Sequence, residues 1–444
     1  MLWTDIFFLG MIIFVFAGLL WSLRKEPARL VLRKLFQRPI AIASGIILLF
    51  FLSIAILDSI HVEITKGSEA ANVESKTLLD AILAPLDEVY ENTYSAPMAL
   101  HLYTTETAII GDKIEQIYPR LSYPPAAIQT EQEKSSLIWG LILIAGGYSL
   151  LFWAGFSLLF ILVRYLQGYR GLHFSPRLGV ALGTLFICIF FSIASYQLSR
   201  HFHLFGTGKI GQDIFYYTIK SIRTGLVIGT LTTLFMLPLG IVLGIAAGYF
   251  GGIVDDIIQY IYTVLSSIPG VLLITASVLS MQTYIANHPQ DFPTLEKSAD
   301  ARLFALCLIL GITSWTSLCR LLRAEALKFR EIDFVLAAKV LGTRTSRIIW
   351  KHLLPNMMPI VLISLVLDFS FLVLAEAVLS YVGVGVSPMT ISWGNMINGA
   401  RLELAREPLV WWPILAAFVF MFLLVLASNL FADAVRDALD PHQV

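Results

Sequence analysis

Residues 221–248 read SIRTGLVIGTLTTLFMLPLGIVLGIAAG, and Arg223 is the one charged side chain in that run. A helix crossing the hydrocarbon core of a bilayer needs about 20 mostly apolar residues, so this stretch predicts a transmembrane helix. Small residues recur in it at a four-residue step: Gly225 and Gly229, then Gly240, Gly244 and Gly248. Glycine lets helix backbones approach closely, and in lipid that packing drives helix association. Pro238 lies between the two clusters and removes one backbone hydrogen bond, which predicts a kink. One reading of the glycines is tight packing inside a single subunit. The other is a helix that slides or turns against a partner.

Working outward, eight further stretches are as apolar: 2–22, 40–57, 137–163, 178–197, 257–281, 301–320, 355–385 and 411–432. Of the 444 residues, 57% are apolar and 14% charged, against about 45–50% and about 25% in soluble globular domains. The 31 basic and 31 acidic residues cancel, so no global field points to nucleic acid. Cys188, Cys307 and Cys319 all lie inside apolar runs and give neither a disulfide framework nor metal-ligand spacing. A soluble enzyme, a disordered chain and a secreted cystine scaffold are excluded. The expectation is an all-α integral membrane protein with about nine transmembrane helices and no metal site.

The first stretch opens with Trp3 and Asp5 rather than a basic region, and Arg24 and Lys25 follow it, so it reads as a retained anchor rather than a signal peptide. Basic residues mark the cytoplasmic loops. Loop 23–39 carries Arg24, Lys25, Arg29, Arg33, Lys34 and Arg38; loop 164–177 carries Arg164, Arg170 and Arg177; loop 321–353 carries seven bases against three acids. Nine spans with an outside N-terminus place all three loops, and the C-terminus, in the cytoplasm. Loop 249–256, with Asp255 and Asp256 and no base, dissents weakly.

The same count puts residues 58–136 outside, with thirteen carboxylates against five bases and with Pro85, Pro97, Pro119, Pro124 and Pro125. This predicts a small, partly irregular extracytoplasmic cap, either a docking surface for a soluble partner or a solvated spacer. Four parts follow: spans and a basic loop over 1–57, the acidic insertion over 58–136, two more spans over 137–199, and the remainder from 200 to 444.

No catalytic machinery is visible. Gly206-Thr207-Gly208-Lys209 faintly echoes a phosphate loop, but that motif needs glycine at 203, where this chain has His203. The most informative loop is 321–353. Asp333 is suited to N-cap a short helix Phe334 to Leu341, and Gly342 to end it in the left-handed conformation. A second short helix is expected from Thr343 to His352, stopping at Leu354-Pro355, with Arg344, Arg347 and Lys351 on one face. Such a pair lying at the membrane surface forms an exposed knob, and Ala337 and Ala338 leave one side of it shallow enough for another protein's groove. A patch of basic residues holding anionic lipid would look similar.

The run Asp333-Phe334-Val335-Leu336-Ala337-Ala338-Lys339-Val340-Leu341-Gly342, with Arg347-Ile348-Ile349 and Leu354-Pro355-Asn356 after it, resembles the EAA loop of ABC-importer permeases. More closely, it resembles the C-type permease subunit of oligopeptide and dipeptide importers, the peptide/nickel class. His203-Leu204-Phe205-Gly206-Thr207 with Gly211-Gln212-Asp213 resembles its HPLGTD..GRD segment, and Ala247 to Gly252 its AGYFGG. Leu374 to Gly383, Ser392-Trp393-Gly394 and Val435 to Pro441 resemble LLEAxLSFLG, SWG and LRDALDP. The likeness runs over about 200–442, with Arg38-Pro39 and the span after it resembling the usual first helix.

The resemblance implies a type-I importer core and a non-catalytic subunit. Its partners would be a second homologous permease, two cytoplasmic ATP-binding subunits and an extracytoplasmic solute-binding protein. It implies no cofactor in this chain, with ATP and Mg in the ATPase subunits, and a peptide substrate. Asp333, Ala337, Ala338, Gly342, Arg344 and Arg347 would form the ATPase-coupling site in a bacterial inner membrane protein. Three features depart from the pattern. Leu336 stands where the EAA glutamate belongs, Gly208 and Gln212 replace the usual Asp and Arg, and spans 2–22, 137–163 and 178–197 and the cap have no counterpart.

Asp368 and Glu376 fall inside the predicted helix 355–385, eight residues and about 12 Å apart along it, on adjoining faces. An intramembrane carboxylate costs several kcal/mol unless paired or wetted, so a place on the translocation path is the default expectation for both. The alternative for Glu376 is a hydrogen bond that serves structure. A rival function, ion-gradient-driven transport, would use the same two carboxylates. A second rival is a non-transporting subunit that keeps the permease scaffold.

Overall fold

The computed structural model describes residues 2–24, 26–65, 73–110, 113–166 and 176–439. Lys25, Lys66, Glu69, Asp112, Arg170 and Asp440-Pro441 of the features above lie outside the described residues. In chain order the elements begin with α1 (Trp3–Ser22), α2 (Glu26–Leu35) and α3 (Pro39–Ser59). The insertion follows as β1 (His61–Thr65), β2 (Val73–Thr77), α4 (Leu78–Ile82), α5 (Ala84–Glu88), β3 (Glu106–Ile110) and β4 (Lys113–Ile117). Then come α6 (Glu131–Leu166), α7 (Pro176–Ser199), α8 (Ile214–Phe250), α9 (Gly252–Ser267), α10 (Gly270–Asn287) and α11 (Leu295–Arg330). The chain closes with α12 (Asp333–Val340), α13 (Thr345–Ile348), α14 (Leu354–Val382), α15 (Trp393–Ala400) and α16 (Trp412–Leu439). Among the described residues, nine helices are long and apolar enough to cross a membrane. The protein is an all-α membrane protein; among the described residues the strands form two separate two-stranded antiparallel sheets, β1–β2 and β3–β4.

The run 257–281 is not one helix. It falls across α9 and α10, which are separated at Ile268 and Pro269, and only α10 has the length and composition of a span. Proline disfavours helix in the residue before it, and Ile268 accordingly takes an extended conformation with ψ 130°. By contrast, α8 runs unbroken through Pro238 from Ile214 to Phe250.

The chain divides into two compact units, one of 1–32, 225–390 and 428–444, the other of 33–224 and 391–427. In the first, α11 is the central helix, with α1, α9, α10, α12 and α14 packed on it. The small residues of α8 meet α11 here. A Cβ on Gly244 would lie 2.8 Å from the Cys319 carbonyl oxygen, and one on Gly248 would lie 2.6 Å from that of Arg323 and 2.5 Å from Ala326 Cβ. The glycines therefore serve close packing within one chain. The start of α1 is tied down by Asp300, a buried residue of α11 whose Oδ2 accepts from the backbone N–H of Trp3 (2.8 Å) and Thr4 (3.3 Å). A carboxylate there satisfies N–H groups that have no partner inside the helix and complements the helix dipole.

In the second unit, α6 and α7 pack side by side and α3 packs on α7. The insertion is woven into residues 203–213. Thr207 donates its backbone N–H to the Ser95 carbonyl (3.1 Å), Met98 donates to the His203 carbonyl (2.9 Å) and Glu91 to that of Gly211 (3.1 Å). Gly206 has φ +72°, and a Cβ there would fall 2.2 Å from the Ser95 carbonyl, so the strand from the insertion can pass only over glycine. The turn that faintly echoed a phosphate loop is the seat of the cap.

Candidate functional site

The knob at 332–354 is built from its two turns. The N-cap of α12 is Ile332, not Asp333: the Ile332 carbonyl accepts from Val335 and Leu336, while Asp333 is the first helical residue and its carboxylate caps nothing. An acidic residue in the first turn still complements the dipole. Gly342, at φ +71°, ends the helix. Thr343 donates to the Ala338 carbonyl (3.0 Å) and Gly342 to that of Lys339 (3.1 Å), the paired bonds of a Schellman motif.

The second element differs from the expected helix Thr343 to His352. Arg344 is the N-cap of α13, and a π-helical turn over Ile349–Leu353 carries the chain straight into α14, with no stop at Pro355. Leu354 bonds back five residues to the Ile349 carbonyl. That wider turn accommodates a proline that has no N–H to give and whose ring would crowd a tighter one.

Packing fixes the knob to the bundle. Val335, Ile348 and Leu353 are all but fully buried in a cluster with Leu318, Leu322 and Ala326 of α11 and Met357 of α14. The opposite side is bare. Val340 and Leu341 are 87% and 83% exposed, and Leu336 stands beside them. Asp333, Ala337, Gly342, Arg344 and Arg347 are exposed and Ala338 half-buried, so the structure brings all six expected coupling residues into this one knob. An apolar tip flanked by Arg344 and Arg347, held on a packed base, is a shape for contact with another protein.

A clamp that the sequence did not single out lies beneath it. Arg323 of α11 donates from Nε to Asp255 Oδ1 (2.5 Å) and from Nη2 to Oδ2 (2.7 Å), binding α9 to α11. The guanidinium holds the Asp255 carboxyl below its ordinary range. One turn away Arg320 donates to Ser266 Oγ (2.8 Å) and lies over the Tyr262 ring. Asp255 stands out in sequence only as an acid without a base, because its base is 68 residues away.

The two intramembrane carboxylates are not brought together. Glu376 is 2% exposed and accepts from Ser380 Oγ (2.7 Å), one turn along α14. Asp368 is half-buried and receives no hydrogen bond among the described residues. The hydrogen bond to Glu376 comes from its own helix, where the structural alternative looked to a neighbouring one.

Residues 203–213 hold a second polar cluster. His203 Nδ1 lies 2.6 Å from Asp213 Oδ2, and its Nε2 lies 3.7 Å from Glu91 Oε1. Asp213 Oδ1 also accepts from the Tyr216 N–H (2.9 Å) at the start of α8. Burial opposes charge on His203, but Asp213 and Glu91 outweigh it and raise the imidazole to about 9. Burial likewise opposes charge on Glu91, and the contacts from His203, Ser122 and Tyr123 outweigh it, bringing the carboxyl down to about 2. The two departures in this segment compensate each other: a Cβ on Gly208 would sit 2.4 Å from Gln212 Nε2, so Gln212 fills the room a side chain at 208 would need. Ser392 caps α15 through the Asn395 N–H (3.1 Å), and the buried Trp393 indole donates to the Thr218 carbonyl (3.1 Å), which accounts for the Ser-Trp-Gly run.

Comparison with known proteins covers the knob and the helices around it. The family of binding-protein-dependent transport system inner membrane components matches residues 240–443. The chain is 31% identical over 240 residues to a dipeptide transport system permease of Lactococcus lactis, covering 54% of this chain and 64% of that one. It is 30% identical to an oligopeptide transport system permease of Bacillus subtilis, covering 54% and 72%. A nickel transport system permease of Escherichia coli is 31% identical over 54% of this chain and 80% of its own. Proteins of this kind are non-catalytic permeases, with ATP hydrolysis in a separate subunit. The chain belongs to the binding-protein-dependent ABC-importer permeases, in the peptide/nickel class.

Proposed function

We propose that this chain forms one half of the translocation path of an ATP-driven importer for short peptides, and couples that path to ATPase subunits through the knob at 332–354. The observation that carries this reading is the knob itself, apolar and bare at Val340 and Leu341 and pinned beneath by Val335, Ile348 and Leu353. A rigid lever with an exposed tip transmits a partner's movement into the helices that hold its base. Gly342 makes its turn, Asp333, Ala337 and Ala338 line its first helix, and Arg344 and Arg347 flank the tip. The implied partners are a homologous permease, two ATP-binding subunits that carry ATP and Mg, and an extracytoplasmic binding protein. The distribution of basic loops supports a cytoplasmic knob and an insertion outside.

Peptide is preferred over nickel on the weight of the peptide permeases among the relatives. Ion-gradient transport through Asp368 and Glu376 finds no support in the site, because Glu376 is bonded to its own helix. The test is uptake of a radiolabelled dipeptide, of glutathione and of nickel in a strain deleted for this chain and complemented with it. Restored dipeptide uptake that fails with Gly342→Pro supports the reading. Restored nickel uptake alone reassigns the solute and leaves the coupling intact.

A further inference from the structure

The helices α6 and α7 are an antiparallel pair that closes tightly along one half and parts along the other. In the closed half Trp153 Nε1 donates to the Leu182 carbonyl (2.9 Å), and the Trp153 and Phe186 rings meet edge to face. Gly146 then admits the Phe190 ring at contact distance. Beyond that point, toward the cap, the side chains separate around a cleft of about 890 Å³. The cleft extends about 12 Å along α7, from Ser192 to Arg200. Its volume lies in the range of about 300–1,000 Å³ typical of ligand clefts. All of these elements precede the residues matched by the family, 240–443.

The walls are mostly apolar, with the one permanent charge at the cap end. Leu141, Ile144 and Ile193 line the part inside the bilayer, and Ile82 of α4 roofs it. Polar groups gather at the cap end. Arg200 follows the last residue of α7, with its guanidinium carbon 6.0 Å from the centre of the Tyr196 ring. Among the described residues no carboxylate lies within 4 Å of Arg200. Gln197 Oε1 is buried and meets no donor among the described residues. Tyr196, partly exposed one turn before Arg200, stands where aromatic side chains sit at the edge of a bilayer, while Tyr148 lies deeper, beyond Ile144 along α6. An unpaired cation at the rim of an apolar groove between transmembrane helices calls for an amphiphile with an anionic head. The unfilled acceptor on Gln197 calls for a donor on that same head.

We propose that this cleft binds one anionic phospholipid from the bilayer leaflet that borders the cap, its phosphate on Arg200 and an acyl chain along Leu141, Ile144 and Ile193. A glycerol hydroxyl of the headgroup supplies the donor for Gln197. The lipid packs the gap between the two helices that the rest of the pair closes with protein. The inference requires only that the chain spans a membrane and is independent of which solute it moves.

The test is native mass spectrometry of the full-length protein, purified with whatever subunits accompany it, after addition of phosphatidylglycerol or phosphatidylcholine. The expected result is one phosphatidylglycerol retained in preference to phosphatidylcholine. Arg200→Gln should weaken that retention about fivefold, the effect of one basic group at a lipid surface, while Arg177→Gln at the other end of α7 leaves it unchanged. Ile144→Trp, which fills the groove, should abolish retention of either lipid; if it fails to fold, the comparison of Arg200→Gln with Arg177→Gln decides alone. Equal retention of the two lipids, an unchanged Arg200→Gln variant, or displacement of the lipid by glycerol 3-phosphate would each overturn the assignment. The last outcome would mark a site for a free phosphate rather than a lipid. A protein helix found in the groove by cross-linking from position 193 would overturn it as well.

Discussion

Arg323 and Asp255 face each other in a two-pronged ion pair, Nε to Oδ1 and Nη2 to Oδ2, that ties α9 to the end of α11 from which the knob hangs. A planar guanidinium matches a carboxylate in this way, and such charge-assisted pairs are among the stronger hydrogen bonds. The clamp fixes the direction in which α11 delivers the chain to α12.

Breaking the clamp should therefore loosen the lever without unfolding the protein. Arg323→Ala is expected to lower transport several-fold and to cost about 1–2 kcal/mol of stability, because the pair is partly exposed and solvent screens it. A double-mutant cycle with Asp255→Ala, read by thermal melting, should return a coupling of about 1 kcal/mol. Additive single effects would show that the pair does not act as a unit.

The glycines of α8 should differ in tolerance according to what they meet. Gly248→Ala puts a methyl against the Arg323 carbonyl and Ala326 Cβ, neither of which can turn aside, so α8 and α11 must separate. Overpacking of this kind costs about 1–3 kcal/mol. At Gly240 a Cβ would meet only side-chain atoms, those of Leu318 with Cδ2 at 2.7 Å, and no backbone, so Gly240→Ala should cost less. Melting temperatures of the two variants, compared side by side, check the order.

The anchorage of the cap should depend on pH at both ends of the scale. His203 has its charge favoured in the folded protein, from an ordinary 6.5 to about 9, so its contribution is fully present below 6.5 and disappears as pH rises through 9. Glu91 is held down from 4.5 to about 2, so its contribution is present above 4.5 and is lost as pH falls toward 2. Asp213, Glu91 and Tyr123 are the charged or titratable groups against the imidazole. Hydrogen-exchange protection factors of residues 91–98, corrected for the intrinsic rise of amide exchange with pH, should be highest between about pH 4.5 and 6.5 and should fall on the alkaline side. His203→Gln should remove the alkaline limb, and an unchanged alkaline limb would show that another group governs it.

Much of the architecture was readable because bilayer thickness imposes a length on apolar runs, and runs such as 40–57 and 411–432 map directly onto α3 and α16. The break between α9 and α10 was signalled by Pro269-Gly270, but the apolar residues on both sides masked it. Gly342 was legible because a helix end needs the left-handed conformation that glycine adopts freely. Asp333 was misplaced by one residue, since a backbone carbonyl at Ile332 does the capping that a carboxylate was expected to do. The π turn before Pro355 was missed because the proline was read as a helix stop, where the wider turn lets the helix continue through it. The seat of the cap was not legible at all: Ser95 and Thr207 bond across 112 residues, and no periodicity encodes a pairing of that range.

The most direct measurement is purification of this chain from membranes, with mass spectrometry of every protein that accompanies it. The expected result is a second permease and ATP-binding subunits in complex with the wild type, with the ATP-binding subunits lost selectively from Gly342→Pro and from Leu341→Asp. Proline lacks the N–H that Gly342 gives to Lys339 and cannot adopt φ +71°, so the lever loses its shape. Recovery of the chain alone, or as an oligomer of itself without an ATP-binding subunit, would contradict the proposed coupling role of the knob.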